Sequence, residues 1–200
     1  DLVSSRGLGD VYKRQRLTEK VHHILTNHLK EGDRAIDATS GNGYDTLFLA
    51  RQVGLSGKVI AIDIQDCAIQ STREKLESAG LIDRVRLVSE DHAVALKKLI
   101  VADHEGVAAV TFNLGYLPGS DKSIQTRAES TKAALTASIQ LLVPGGCLCV
   151  TAYRGHSGGT VEAETVEALM HMSRAQGNEV ECHQPESSNS PPILWVLRKR

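Results

Sequence analysis

The sequence predicts an α/β fold, a doubly wound and mostly parallel seven-stranded sheet that ends in an antiparallel strand. Three observations predict it. From residue 34 onward, short Val- and Ile-rich runs alternate with longer segments of helical period. Strands that alternate with helices imply right-handed crossovers, hence parallel pairing with helices on both faces of the sheet. The last two apolar runs, "NEVECHQ" and "PPILWVLRK", are joined by a Pro/Ser/Asn-rich link too short for a helical crossover, so they pair antiparallel.

Each element has its own signal. "RLTEKVHHILTNHLKEGD" sets Leu17, Val21, Ile24, Leu25, His28 and Leu29 on one helical stripe, with Gly32 as the stop. "RAIDA" reads as a buried strand, followed by a glycine turn and the helix "DTLFLARQVG". "GKVIAID" is the second strand and "QDCAIQSTREKLESAG" a helix closed by Gly80. "RVRLVSED" and "GVAAVTFNL" are the third and fourth strands, with the helix "HAVALKKLIV" between them. A long helix, "KSIQTRAESTKAALTASIQLL", is predicted to stop at "VPGG". The strand "CLCVTAY" and the helix "GTVEAETVEALMHMSRAQG" lead to the closing pair.

The chain has 200 residues, enough for one domain with a substantial core. At 41% hydrophobic and 24% charged it has the composition of a globular domain, and its formal charge of -1 provides no overall field for nucleic acid. No apolar run approaches the roughly 20 residues of a membrane span, so no membrane partner is expected. Cys67, Cys147, Cys149 and Cys182 form no C-x-x-C pair, which suits reduced thiols in a cytoplasmic compartment and argues against a metal site. "DLVSSRGLGDVYKRQ", residues 1–15, resembles the translated read-through of a sequencing-library adapter. It is set aside as non-native, so the domain is taken as residues 16–200.

Chemistry concentrates in the turn "IDATSGNGYDTLFLA". Asp37 ends the first strand, and Gly41 and Gly43, on either side of Asn42, allow the backbone to turn tightly and to approach a ligand closely, with all three as cofactor-binding candidates. A dinucleotide site would have G-x-G-x-x-G there, with a pyrophosphate at the helix N-terminus. Here the third glycine position holds Thr46, and Asp45 stands where the phosphate would approach. A carboxylate at that place repels an anion and suits an amino group or a sulfonium. Asp63 closes the second strand, where a carboxylate can accept both ribose hydroxyls, and Gln65 can help to fix the same sugar. Asp91 and His92 follow the third strand, placed to bracket an adenine. An adenosine with a cationic tail and no phosphate is S-adenosylmethionine.

These segments, with "AIDIQ", "DHA", "FNLGYLPGSDKSIQT", "LLVPGG" and "YRGHSGG", make the chain from about Arg16 to its end resemble the small bacterial Rossmann-fold rRNA methylases. That family includes transfer-RNA 5-aminomethyl-2-thiouridine methyltransferases. The resemblance implies the fold with its final hairpin, the cofactor S-adenosylmethionine, and a wobble uridine of transfer RNA as substrate, reached at the anticodon stem-loop. Tyr44 departs from the pattern, in which many relatives carry a His.

"FNLGYLPG" follows the fourth strand. Asn113 and Tyr116 have the N-x-x-Y spacing of amino-methylating loops, in which an amide oxygen aims an amine and an aromatic ring packs on a base. His156, at the end of the fifth strand, is the candidate base, whereas His22, His23 and His28 read as surface or packing residues. Lys122 and Arg154 are candidate substrate contacts. Arg127 and the terminal Arg198, Lys199 and Arg200 are further candidates for the RNA surface, which a homodimer would widen. Motif chemistry alone supports a methyltransferase acting on nitrogen. It leaves open ribosomal RNA or a small amine as acceptor and, in other classes, a nicotinamide-dependent oxidoreductase or a non-catalytic RNA-binding domain.

Overall fold

The computed structural model describes residues 17–102, 105–117, 119, 125–184 and 191–200. Helix α1 covers residues 17–26. Then follow β1 (Arg34–Asp37), α2 (Tyr44–Gln52), β2 (Lys58–Asp63), α3 (Asp66–Ser78), β3 (Val85–Ser89), α4 (His92–Ala102) and β4 (Val107–Leu114). The chain continues through α5 (Ala128–Leu141), β5 (Leu142–Ala152), α6 (Gly159–Ala175), β6 (Glu179–His183) and β7 (Ile193–Arg198). The seven strands form one sheet in the order β3-β2-β1-β4-β5-β7-β6. All neighbours are parallel except β7, which runs antiparallel to both β5 and β6. The predicted fold class and closing hairpin are both present.

Strict alternation along the strands divides the core between the two faces. Leu148 and Val150 of β5, with Ile193, Trp195 and Leu197 of β7, join Leu96 of α4, Leu135 of α5 and Met170 of α6 on one face. Cys147 and Cys149, with Leu194 and Val196, join Leu17, Val21 and Leu25 of α1, Leu49 of α2 and Leu76 of α3 on the other. The two buried thiols therefore serve as small apolar groups, their sulfurs 3.8 Å apart. Among the described residues no helix is long and apolar enough to cross a membrane.

The chain lays β1, β2 and β3 outward in one direction, then returns to place β4 on the other side of β1. The C-terminal edge at β1 and β4 is thus the switch point, where the divergence of the connecting helices leaves a crevice.

Three boundaries differ from the sequence expectation. Helix α1 ends at Thr26, well before Gly32, because His28 turns back to bond the Ala108 carbonyl at 2.9 Å. Helix α5 starts at Ala128, whereas the expected helix began at Lys122; Gln125 instead bridges to Tyr116 in a short antiparallel contact, and Lys122 itself lies outside the described residues. "VPGG" does not sit between helix and strand. β5 begins at Leu142, and Val143–Gly146 bulge out between the pairs Val107–Leu142 and Ala109–Cys147. That bulge is held by Lys199, whose carbonyl accepts from Gly145 and whose N–H donates to Gly146.

Candidate active site

A cleft of about 1260 Å³ opens over the C-terminal ends of β1, β2 and β4. Its floor is the turn after β1, pinned from every side. Ala38 N–H donates to Thr111 O and Ser40 N–H to Ile62 O, both at 2.9 Å, which continues the sheet bonding into the turn. Gly41 N–H donates to Asp63 Oδ2 at 2.9 Å, and Thr72 Oγ1 reaches Gly41 O at 3.2 Å. Helix α2 begins at Tyr44, one residue before the expected start, with Gly43 as a left-handed cap at φ 78°. Gly43 was expected to permit a close approach of ligand. Its constraint is instead internal: a Cβ there would stand 2.8 Å from Thr72 Cα of α3. Gly43 does not line the cleft, whereas Ser40, Gly41 and Asn42 do.

Two of the predicted cofactor residues lie beneath this floor. Asp37 is fully buried and accepts from Thr46 Oγ1 at 2.6 Å and from Thr39 N–H at 3.3 Å. Burial first, then the charge of Asp45, raises its carboxyl from 3.8 to about 7. Asp37 and Thr46 therefore brace the turn from below. Asp63, Gln65, Asp91 and His92 all line the cleft. Asp63 Oδ1 accepts from Gln65 N–H at 3.0 Å, and burial raises this carboxyl too. Asp91 caps α4 by accepting from Ala93 and Val94 N–H, while its side chain borders the cleft. His92 is buried with its ring edge-on to Phe112 and Nε2 3.2 Å from Ser130 Oγ, and burial lowers its pKa below the ordinary value. A neutral imidazole is thus what faces the cleft.

On the β4 side, Asn113 N–H donates to Thr39 Oγ1 at 2.7 Å, and Asn113 Nδ2 donates to Asp45 Oδ2 at 2.7 Å. With its nitrogen held by a carboxylate, the amide presents its oxygen as the free acceptor. Tyr116 lines the same cleft. The carbonyls that follow Asn113 each already take a backbone bond, Leu114 O from Tyr153 N–H and Gly115 O from Thr126 N–H. The amide oxygen, by contrast, has no partner among the described residues. His156, the expected base, is not in the cleft lining. Its Nδ1 donates to Ser157 O at 3.0 Å and its ring lies perpendicular to Tyr116, 6.1 Å away, so it stands behind the tyrosine.

The expected cationic contacts are redistributed. Arg127 borders the cleft, but Arg154 donates through Nε and Nη2 to Pro191 O, tying β5 to the start of β7. Arg198, Lys199 and Arg200 cannot help substrate over the strand ends. Arg198 pairs with Cys147, near the start of β5, because antiparallel β7 carries the chain terminus to the opposite edge of the sheet.

Four residues escaped the sequence reading. Ser40 Oγ is buried, lines the cleft and has no hydrogen-bond partner among the described residues, and its place inside the turn could have flagged it. Thr39 anchors Asn113. His22 of α1 meets Asp45 Oδ1 at 2.7 Å, and Glu162 of α6, 2% exposed, accepts from Thr131 Oγ1 at 2.5 Å and Thr126 Oγ1 at 2.7 Å. Neither contact has a signal in spacing, since each joins segments distant in sequence.

The donor set fits S-adenosylmethionine. Carboxylates at Asp45 and Asp63 border the turn, and among the described residues no Lys or Arg stands in their place and the buried Ser40 hydroxyl has no partner. A diphosphate would meet repulsion at the same place, which removes the oxidoreductase reading.

Comparison with known proteins agrees. Residues 59–198 match the family model "Putative rRNA methylase", and residues 12–99 match that of protein-L-isoaspartate(D-aspartate) O-methyltransferase. The chain is 41% identical to the Arabidopsis thaliana "tRNA (mnm(5)s(2)U34)-methyltransferase, chloroplastic" over 98% of this chain and 75% of that protein. A "putative rRNA-methylase" crystal structure from Clostridium thermocellum superposes with a TM-score of 0.86 at 41% identity, covering 92% of this chain and 97% of that one. A "putative methyltransferase" from Streptococcus mutans, solved in complex with SAH, gives a TM-score of 0.80 at 34% identity over 92% of this chain and 97% of that chain. Sheet order, acid-bordered turn and these likenesses converge: the chain belongs to the rRNA methylase family and is an S-adenosylmethionine-dependent methyltransferase.

Proposed function

We propose that the protein methylates transfer RNA on nitrogen, converting the 5-aminomethyl group of 2-thiouridine at wobble position 34 into 5-methylaminomethyl. The observation that carries this reading is the Asn113 amide, in the cleft lining with Tyr116, whose nitrogen is tied to Asp45 and whose oxygen is left to accept. The name of the Arabidopsis relative supports the choice of substrate.

Asp63 and Gln65 would hold the ribose of the cofactor, Asp91 and His92 the adenine, and Ser40, Gly41, Asn42 and Asp45 its cationic tail. Gly43, Asp37 and Thr46 shape and brace that turn. S-adenosylmethionine, when bound, supplies an activated methyl group on a sulfonium and a neutral leaving group. The protein's part is to present a free amine. An alkylamine is mostly protonated at neutral pH, with a pKa of roughly 10.4, and an ammonium has no lone pair to offer. A cleft that excludes water disfavours the charged form. Asn113 Oδ1 then accepts an N–H of the neutral amine and aims its lone pair, while the Tyr116 ring packs on the pyrimidine. Alignment of this kind can supply much of the acceleration without a strong base. His156, backing Tyr116, acts by holding that ring.

The anticodon stem-loop docks over the strand ends, with Arg127 at the rim and Lys122, which lies outside the described residues, as a further contact. A homodimer widens this surface, and the compartment is the cytoplasm of a bacterial cell. The test is an assay with radiolabelled cofactor on transfer RNA that carries the aminomethyl precursor. Label in 5-methylaminomethyl-2-thiouridine is expected. Label in ribosomal RNA or a small amine, with none in that nucleoside, would replace the proposed substrate.

A further inference from the structure

His22 belongs to a helix that precedes the first strand, and no role at the strand ends accounts for it. Its ring lies flat on Phe48 of α2, with centroids 3.8 Å apart and planes 3° apart. Stacking fixes the ring plane, and Nε2 then points at Asp45 Oδ1 at 2.7 Å. The other oxygen of the same carboxylate takes the Asn113 amide at 2.7 Å. The side chains are only 29% and 14% exposed, so water competes weakly for these bonds. A continuous chain His22–Asp45–Asn113 thus links α1, α2 and β4.

We propose that His22 is a positioning residue for methyl transfer, holding Asp45 in the orientation that fixes the Asn113 amide with its oxygen toward the substrate amine. The inference rests on the reading of Asn113 as the acceptor for that amine. The two ends of a primary amide are nearly equal in shape but opposite in polarity, and the terminal torsion is soft. Flipped, Asn113 would set N–H donors against the amine's hydrogens. A carboxylate partner prevents the flip only while it is itself held, and the Asp45 carboxylate also turns about a soft torsion. An Nε2–H donor on a ring clamped by Phe48 removes that freedom. It has a second effect. An Asp45 released from His22 would pair with the incoming ammonium and stabilise the protonated form, which cannot attack.

Two substitutions separate this role from packing. His22→Phe keeps an aromatic ring on Phe48 but has no donor, and His22→Gln restores an N–H at similar reach without the ring. With transfer RNA carrying 5-aminomethyl-2-thiouridine, and at saturating cofactor because Asp45 also borders the cofactor's tail, His22→Phe is expected to lower kcat about 10- to 100-fold, leaving KM for the RNA within about twofold, as misalignment of a reacting group does. His22→Gln is expected to recover most of the loss. A second readout needs neither substrate nor cofactor. The side-chain amide resonances of Asn113, assigned by their loss in Asn113→Ala, are expected to move toward those of exposed asparagines in His22→Phe. Wild-type kcat in His22→Phe with unmoved resonances would overturn the proposal, as would a His22→Gln enzyme as slow as His22→Phe. Full turnover in Asn113→Ala would instead sink the underlying reading of the site, so the two failures are distinct.

Discussion

Gly41 N–H donates to Asp63 Oδ2 at 2.9 Å, so the turn after β1 is bonded directly to the acid that ends β2. The same carboxylate accepts Gln65 N–H at 3.0 Å. Asp63 therefore shapes the cofactor cradle besides facing into it. Replacing it with Ala leaves both N–H groups without this acceptor, at a cost of about 2 kcal/mol from hydrogen bonds to a charged group. The expected result is a lower melting temperature and a loss of cofactor affinity of at least about tenfold, a larger effect than one ribose contact accounts for. Thermal melting and calorimetry on one sample measure both.

Gly43 cannot accept a side chain. Its φ is 78°, and a Cβ would press on Thr72 Cα, a backbone atom of α3 that cannot turn aside. Gly43→Ala is expected to destabilise the fold by about 2 kcal/mol or more, adding backbone strain to overpacking. Because the contact is to backbone, Thr72→Ser is not expected to rescue it. Urea titration of the single and double variants checks this.

Asp37 makes stability and cofactor binding depend on pH. Its folded pKa is about 7 against 3.8 for the free side chain, so between those values the folded protein binds the extra proton. Stability from this group is therefore full below about 3.8 and is lost as pH rises toward 7. The isosteric Asp37→Asn is expected to gain in melting temperature relative to wild type between pH 5 and 8, most at the alkaline end. Buried His92 works the other way. Its depressed pKa means that its contribution is complete above about 6.5 and falls away below it. A cation bound beside Asp45 would favour ionised Asp37, so S-adenosylmethionine affinity is expected to rise through pH 7 with release of a proton. Calorimetry in buffers of different ionisation enthalpy detects that proton, and Asp37→Asn should abolish it.

Glu162 is the buried acceptor that ties α6 to the loop bearing Tyr116. Thr126 Oγ1 donates to Glu162 Oε2 and accepts Gly115 N–H at 2.8 Å, so the carboxylate acts on the Tyr116 loop through one hydroxyl. Glu162→Ala leaves the Thr126 and Thr131 hydroxyls without their acceptor and is expected to cost about 3 kcal/mol. Glu162→Gln keeps one acceptor oxygen. It is expected to fold with a modest loss of stability, to bind cofactor normally, and to show a raised KM for RNA. A melting curve with a KM measurement on each variant separates loop placement from global destabilisation.

The legible parts of the site were those built from one continuous stretch. Asp63, Gln65, Asp91, His92 and Asn113 lie at or just beyond the ends of strands whose apolar runs announce them, and a parallel sheet brings all such ends to one edge whatever the details of packing. Illegible were the contacts between helices. His22 reads as a surface or packing residue because its partner Asp45 is 23 positions away, and nothing in the sequence singles out Glu162, because its hydroxyl partners belong to another helix and a loop. The terminal basic cluster misled for a topological reason: its charge is evident in the sequence, but the reversal of β7 places it at the far edge.

By itself, then, the sequence determined the alternation of strands and helices, the closing antiparallel pair, and the acidic character of the turn that selects a cationic nucleoside over a diphosphate. These follow from period, order and local charge, which need no knowledge of distant contacts. Only the tertiary structure decided which groups face the cleft and which brace it. It set Asp37 and Thr46 below the floor, moved His156 behind Tyr116, and clamped Asn113 through Asp45 and His22. The physical reason is that burial and hydrogen-bond partnership depend on the separation of side chains in space, and helix packing brings together residues that sequence order leaves far apart.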